Sequence, residues 1–240
     1  MFSGTPCQCH ALASFLNKPY DSLYIAEVLC HGVPSPVVWQ NYLRYRMKKA
    51  NTEKYPIECI FRSKDSCEKA KWGDEYVTIR FEHEKEPYRA SAMHDPYMML
   101  FCRADVILND SCYECRYRGL VARDYADIST ADFWGIDKLN PSFCDDKGIS
   151  LVLLHSQKGV FLFDSIKAHL IFTETDAKKA LPLNGSIVKP TKRRGDRRVL
   201  RALIDPRKNF GRIYYTYLPI IYLRKVVKRL KKIIGKGKNE

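Results

Sequence analysis

Polar and apolar positions alternate over residues 57–61 and 76–81, and this alternation predicts two strands. In the second, Val77, Ile79 and Phe81 share one face and Tyr76, Thr78 and Arg80 the other. The polar residues of 63–74 predict the turn between them. Elsewhere the apolar spacing is helical or continuous. Residues 8–16 read as a helix leaving the loop at residues 4–7, and 24–29 as a short apolar strand. Ser35 followed by Pro36 is a helix start, with serine as N-cap and proline at the first helical position. Behind it Trp39, Leu43 and Met47 recur on one face and predict a core stripe. Residues 96–108 and 159–170 read as helices, the stretch around Ile128 and residues 149–155 as strands. Short strands mixed with helices and hairpins predict a mixed α/β (α+β) fold with an antiparallel insertion, rather than a regular doubly wound sheet.

The C-terminal segment has another character. From Leu223, the apolar residues Val226, Val227, Leu230, Ile233 and Ile234 keep i, i+3, i+4, i+7 spacing, and Arg224, Lys225, Lys228, Arg229, Lys231 and Lys232 fill the remaining positions. This predicts a basic amphipathic helix. Charge follows the same division. Residues 189–240 carry 18 Lys and Arg against three Asp and Glu, whereas 1–188 carry 23 against 24. The expected organisation is therefore a domain at 1–188 with a basic extension at 189–240. Cations gathered on an extension, not spread over a folded face, argue against nucleic acid as the partner. They suit an anionic membrane surface met through residues 222–238, with Tyr214, Tyr215, Tyr217 and Tyr222 as interfacial aromatics. Residues 213–223 are too short and include Pro219, so lying on the membrane is expected, not crossing it.

Nine cysteines, an odd number in a chain with no export signal, point to a reducing cytoplasm and to metal work. Cys7 in Gly4-Thr5-Pro6-Cys7-Gln8, Cys30 in Leu29-Cys30-His31-Gly32-Val33-Pro34, and Cys112 and Cys115 in Ser111-Cys112-Tyr113-Glu114-Cys115 stand outside any hydrophobic periodicity. Four thiols are what an iron–sulfur cluster or a structural zinc requires. A second compact Cys-x-x-Cys or a paired His motif, which zinc would favour, is missing from the sequence. Thioredoxin-like chemistry would place Cys112 at a helix start after a strand, whereas a polar turn precedes it. Cys9, Cys59, Cys67, Cys102 and Cys144 read as ordinary reduced, partly buried thiols.

These motifs, in this order, together with Ala126-Asp127-Ile128-Ser129-Thr130-Ala131-Asp132-Phe133-Trp134-Gly135-Ile136, resemble the coenzyme F420 hydrogenase/dehydrogenase beta-subunit family over residues 1 to about 154. The resemblance implies an iron–sulfur flavoprotein oxidoreductase that relays electrons between a 4Fe–4S cluster and a flavin (FAD or FMN), with a deazaflavin such as coenzyme F420 as acceptor. It assigns the cluster to Cys7, Cys30, Cys112 and Cys115. Gly4 and Thr5 then have a second role at the flavin, because glycine admits a close backbone approach and the threonine hydroxyl can bond a ring edge. Asp127 and Asp132 are candidates for its ribityl chain or for substrate, and equally for capping or turn formation. His31 reads as a structural histidine or a proton donor, and Trp134 as core.

Members of the family often carry an N-terminal ferredoxin-like segment and the first half of a flavin domain. This chain starts at the Gly-Thr-Pro-Cys loop, so a truncated flavin/iron–sulfur domain, a fragment served by a ferredoxin-like electron donor or by a missing N-terminal segment, is expected. The shorter bacterial members are associated with polysaccharide biosynthesis. A second expectation follows from that association: a non-catalytic accessory protein, cytoplasmic and peripheral to the inner face of the membrane, retaining a structural metal site.

Overall fold

The computed structural model describes residues 1–63, 73–118, 124–145, 147–184, 189–192 and 197–236, and the side chains of all of these except 224–226 and 228–236. In chain order the strands and the helices of eight or more residues are β1 (Phe2–Gly4), α1 (Pro6–Leu16), β2 (Ile25–Val28), α2 (Pro36–Lys49), β3 (Glu58–Ser63), β4 (Tyr76–Arg80), β5 (Tyr88–Ser91), β6 (Ile128–Asp132), β7 (Ser150–Leu154), α3 (Gln157–Ile166), α4 (Arg197–Ile204) and α5 (Phe210–Lys236). The fold is mixed α+β. Contacts divide the chain into two units. One comprises Met1–Val33, Lys71–Gly73 and Asp110–Thr191; the other comprises Pro34–Ala70, Asp74–Asn109 and Lys192–Glu240.

The first unit is built on a sheet of order β1-β2-β6-β7, parallel through β6 and antiparallel at β7. Two parallel neighbours close in sequence need a crossover, which α1 supplies. Thr5 adopts the extended conformation of an N-cap, Pro6 takes the first helical turn, and the Gln8 side chain reaches back to the Thr5 N–H at 2.9 Å. Asn17 ends the helix in the left-handed region, its N–H bonding Ala13 O at 3.1 Å. Cys9 on its inner side is fully buried with Ile25 and Ala126. Ser156 caps α3 by accepting from the Gly159 N–H at 3.1 Å. At Gly159 the helix comes so near β6 that an added Cβ would lie 2.2 Å from the Asp127 carbonyl oxygen.

In the second unit β3, β4 and β5 form an antiparallel meander, the insertion that the alternation predicts. Val77, Ile79 and Phe81 are buried as expected, and Thr78 is buried too. The face of α2 that enters the core is rotated from the expected stripe. Val38 and Tyr42 are fully buried and Leu43 nearly so, while Trp39 and Met47 flank them, partly buried. The rotation has a polar cause. Asn41 donates to Leu203 O at 2.7 Å and the Tyr42 hydroxyl donates to Asp95, bonds that a hydrophobicity pattern does not register. Asp95 also accepts from the Tyr88 hydroxyl at 3.1 Å and the Met98 N–H at 2.9 Å.

Other expectations are corrected. The helix expected over 96–108 is one turn, Pro96–Met98, passing into a π-helix at Met99–Arg103; Asp105 then turns left-handed and Leu108 bridges to Pro34. Met99, Leu100, Ile107 and Leu108 are all fully buried, and an apolar run enclosed on every side carries no period. The C-terminal helix starts at Phe210, well before Leu223, and continues through Pro219. Phe210, Tyr214, Tyr217 and Ile221 form its buried face, so Tyr214 and Tyr217 are core residues and only Tyr215 and Tyr222 are exposed. Trp134 is 44% exposed, not core. β5 and α4 were not foreseen. Cys67 and most of the turn expected over 63–74 lie outside the described residues, as do the side chains of most of 222–238. Among the described residues no helix is long and apolar enough to cross a membrane.

The packing makes two positions decisive for stability. Gly159→Ala should destabilise the protein by about 3 kcal/mol, because the obstacle is backbone and cannot turn aside; urea unfolding measures it. Burial raises the Asp95 pKa above its ordinary value against the opposing hydrogen bonds of Tyr42, Met98 and Tyr88 and the charge of Arg46. Folded protein therefore holds that proton more tightly than the unfolded chain. The contribution is complete below the ordinary carboxylate value of about 3.9 and is lost as pH rises through the raised one. Asp95→Asn should flatten this slope in urea midpoints, and Asp95→Ala should cost roughly 2–4 kcal/mol by orphaning three donors.

Candidate metal centre

Cys7, Cys30, Cys112 and Cys115 all belong to the first unit, whereas Cys59 and Cys102 belong to the second. Each of the first three reaches the site on a different local structure. Cys7 stands in the first turn of α1, exposed, its Sγ 3.2 Å from the Thr5 hydroxyl. Cys30 follows β2 directly. Its Sγ accepts from the Gly32 N–H at 3.3 Å, in a turn where Gly32 has φ 127°, a conformation that side chains resist. Cys112 lies on the short helix Asp110–Tyr113, and its Sγ accepts from the Val33 N–H at 3.4 Å. Two of the four thiols, Cys30 and Cys112, thus accept a backbone N–H at sulfur. Cys115 is half-buried, just past that helix.

Burial pushes the Cys30 thiol above its ordinary value. The Gly32 N–H and the Arg118 guanidinium draw it back, and charge on Cys112 and Cys7 raises it again. These three thiols are close enough to feel one another. They are not drawn into a closed ligand set: among the described residues, no three His, Cys, Asp or Glu side chains are grouped to hold a metal ion.

Arg118 is the residue that sequence reasoning missed here. It is 8% exposed, its Nη1 donates to Thr191 Oγ1 at 2.9 Å, and Thr191 Oγ1 in turn donates to the His31 carbonyl at 3.3 Å. Its Nη2 is buried without a hydrogen-bond partner among the described residues. A buried guanidinium with an unused donor, acting on the Cys30 thiol, is costly unless an anion meets it. Only its place three positions after Cys115 could have signalled it, and exposed Arg116 shares that neighbourhood.

The residues expected at a flavin are variously committed. Gly4 ends β1, and a Cβ there would stand 3.1–3.2 Å from Phe2 and Gln8. The Thr5 N–H and hydroxyl donate to Gln8 Oε1 at 2.9 and 3.0 Å. The Asp127 carboxylate accepts from the Ile25 N–H at 2.9 Å and from the Ser156 hydroxyl, with Lys158 3.7 Å away, so it serves the sheet. Asp132 closes β6 opposite Ser150, and its carbonyl accepts from Asn184 at 2.7 Å. Of the remaining cysteines in the described residues, Cys59 is half-buried as expected and Cys9 is fully buried, whereas Cys102 and Cys144 are exposed.

A second polar chain went unforeseen. Glu27 on β2 is fully buried and is paired in register with Gly4 of β1 on one side and Ser129 of β6 on the other. The Ser129 hydroxyl donates to Glu27 Oε1 at 2.7 Å and lies 2.6 Å from Nε2 of His155, an exposed residue. With the hydroxyl proton directed at Glu27, His155 Nε2 is the donor to Ser129 Oγ. Alternation hides the chain, since Glu27 interrupts an otherwise apolar strand.

Comparison with curated proteins and with solved structures gives no match. A family model does match, that of the C terminus of the coenzyme F420 hydrogenase/dehydrogenase beta subunit, over residues 1–180. The match spans the sheet, all four cysteine positions and the Glu27 chain, and it suggests an oxidoreductase-related role. This chain belongs to the family defined by the C-terminal region of the coenzyme F420 hydrogenase/dehydrogenase beta subunit.

Proposed function

We propose that the chain is the iron–sulfur part of a flavoprotein oxidoreductase, with Cys7, Cys30, Cys112 and Cys115 as ligands of a 4Fe–4S cluster and a flavin or deazaflavin as its redox partner. The observation that carries this reading is Arg118, whose buried Nη2 lacks a partner among the described residues, beside thiols already met by N–H donors. The donor set fits the cluster. Thiolate sulfur is its natural ligand, and hydrogen bonds to sulfur and nearby positive charge tune its potential.

When bound, the cluster supplies one-electron transfer. The chain's own residues supply the setting. The Gly32 and Val33 N–H groups point at the sulfurs of Cys30 and Cys112, and Arg118 would offset the negative charge of four cluster thiolates. Gly4, Thr5 and Asp132 are the positions offered to a flavin, while Asp127 keeps the strands in register. Two-electron chemistry also needs protons. His155 Nε2, Ser129 Oγ and Glu27 Oε1 form a route that moves them from solvent to the strand beside Gly4.

Protein purified without oxygen should be brown and hold about four irons and four sulfides per chain. Cys112→Ser or Cys115→Ser should remove most of the iron, and Cys144→Ser none. Arg118→Leu should leave a folded chain whose cluster, if retained, has a lower reduction potential in redox titration. Stoichiometric zinc without iron in the anaerobic preparation would reject the reading in favour of a structural metal site.

A further inference from the structure

The second unit carries a groove of about 740 Å³ between α4 and α5 that the redox reading leaves unused. Its rim is cationic: Arg198 of α4, Arg207 and Lys208 of the connecting turn, and Arg212 of α5 line it, and no carboxylate among the described residues does. Arg207 is held by Asp205, Nε to Oδ1 and Nη2 to Oδ2, both at 3.0 Å, so its charge is already offset. The floor is apolar, made by Val199, Ile213 and Ile220. A free anion would satisfy the rim and leave that floor wet.

The floor does not stop at the groove. Ile213, Ile220 and Val227 follow one another at seven-residue spacing on α5, with Leu223 between them at i+3 from Ile220, so all four share one helix face. Ile220, Leu223 and Val227 are 43%, 63% and 42% exposed. At 1.5 Å per residue this track is roughly 21 Å long. It leads away from the rim through a stretch that holds Arg224, Lys225, Lys228 and Arg229 in sequence. Charge at one end and an exposed apolar track running from it match an amphiphile with an anionic head.

We propose that the α4–α5 groove is a headgroup site for an anionic phospholipid of a bilayer: Lys208 and Arg212 take the phosphate, and Ile220, Leu223 and Val227 lie against the acyl region. Membrane attachment then begins inside the folded second unit, upstream of the basic tail expected to provide it at 222–238. The apolar floor and track select lipid over nucleic acid, which would need aromatic stacking or a continuous cationic surface. In this arrangement α5 lies along the interface plane.

The test is flotation of the full chain with vesicles of phosphatidylcholine alone and of phosphatidylcholine mixed with phosphatidic acid. Wild type should float with the second and not the first. The double reversal Lys208→Glu/Arg212→Glu should weaken partitioning by about tenfold or more, since each basic residue near an anionic surface contributes about fivefold. The equal charge change Lys49→Glu/Lys85→Glu, at exposed positions of the same unit outside the groove's lining, should alter it less than about twofold. Leu223→Asp, at an exposed position that packing does not need, should abolish flotation while leaving the circular dichroism unchanged. Equal loss in both double reversals would reduce the effect to net charge and overturn the site. So would flotation with phosphatidylcholine alone, or full release by inorganic phosphate together with an inert Leu223→Asp, which would make the groove a plain anion site.

Discussion

The first unit depends on Asp127. Its N–H and carboxylate grip both backbone groups of Ile25 on β2, its carboxylate takes the hydroxyl of Ser156, which caps α3, and its carbonyl accepts from the His155 N–H. That same carbonyl faces Gly159, so α3 can approach only where no side chain intervenes. One residue therefore fixes the register of β2 on β6 and the seat of α3. Everything proposed for the unit inherits that register. It sets Cys30 at the end of β2 and Ser129 beside Glu27.

Around the thiols the balance is electrostatic. Desolvation opposes ionisation of Cys30, while an N–H donor and a buried guanidinium favour it. Neither side is satisfied while the thiols stay apart, because Arg118 retains an unused donor. The proposed cluster, four thiolates at one anionic centre, would meet both demands. The Glu27–Ser129–His155 chain is built on the same sheet.

The second unit solves a different problem, burying charge and hydroxyl within an aromatic core. Asp95 binds Tyr42, Tyr88 and the start of the turn at Pro96, and Arg46 lies over the Tyr88 ring. The segment Lys192–Glu240 belongs to this unit through Leu203, Phe210, Tyr214, Tyr217 and Ile221. Composition divides the chain by charge, and packing divides it along another line. α5 takes part in both, with one face in the core and another carrying the exposed apolar track.

The sequence by itself determined what is local. Ser35-Pro36 starts a helix because the fixed φ of proline acts within one turn, and alternation at 76–81 marks a strand with its buried face correctly assigned. Four separated motifs likewise identified the family, since motif order is a property of the chain. Tertiary structure decided the rest. The inward face of α2 turns on Asn41 and Tyr42 finding partners more than 50 residues away, and Tyr214 and Tyr217 are core because α2 packs against α5. That the Asp127 carboxylate meets Ile25 and Ser156, and that Arg118 is buried, only the folded chain shows. A charged side chain has no periodicity to betray its role. Its meaning lies in whether the fold removes water from it and what it sets opposite, and only long-range contacts fix those two things.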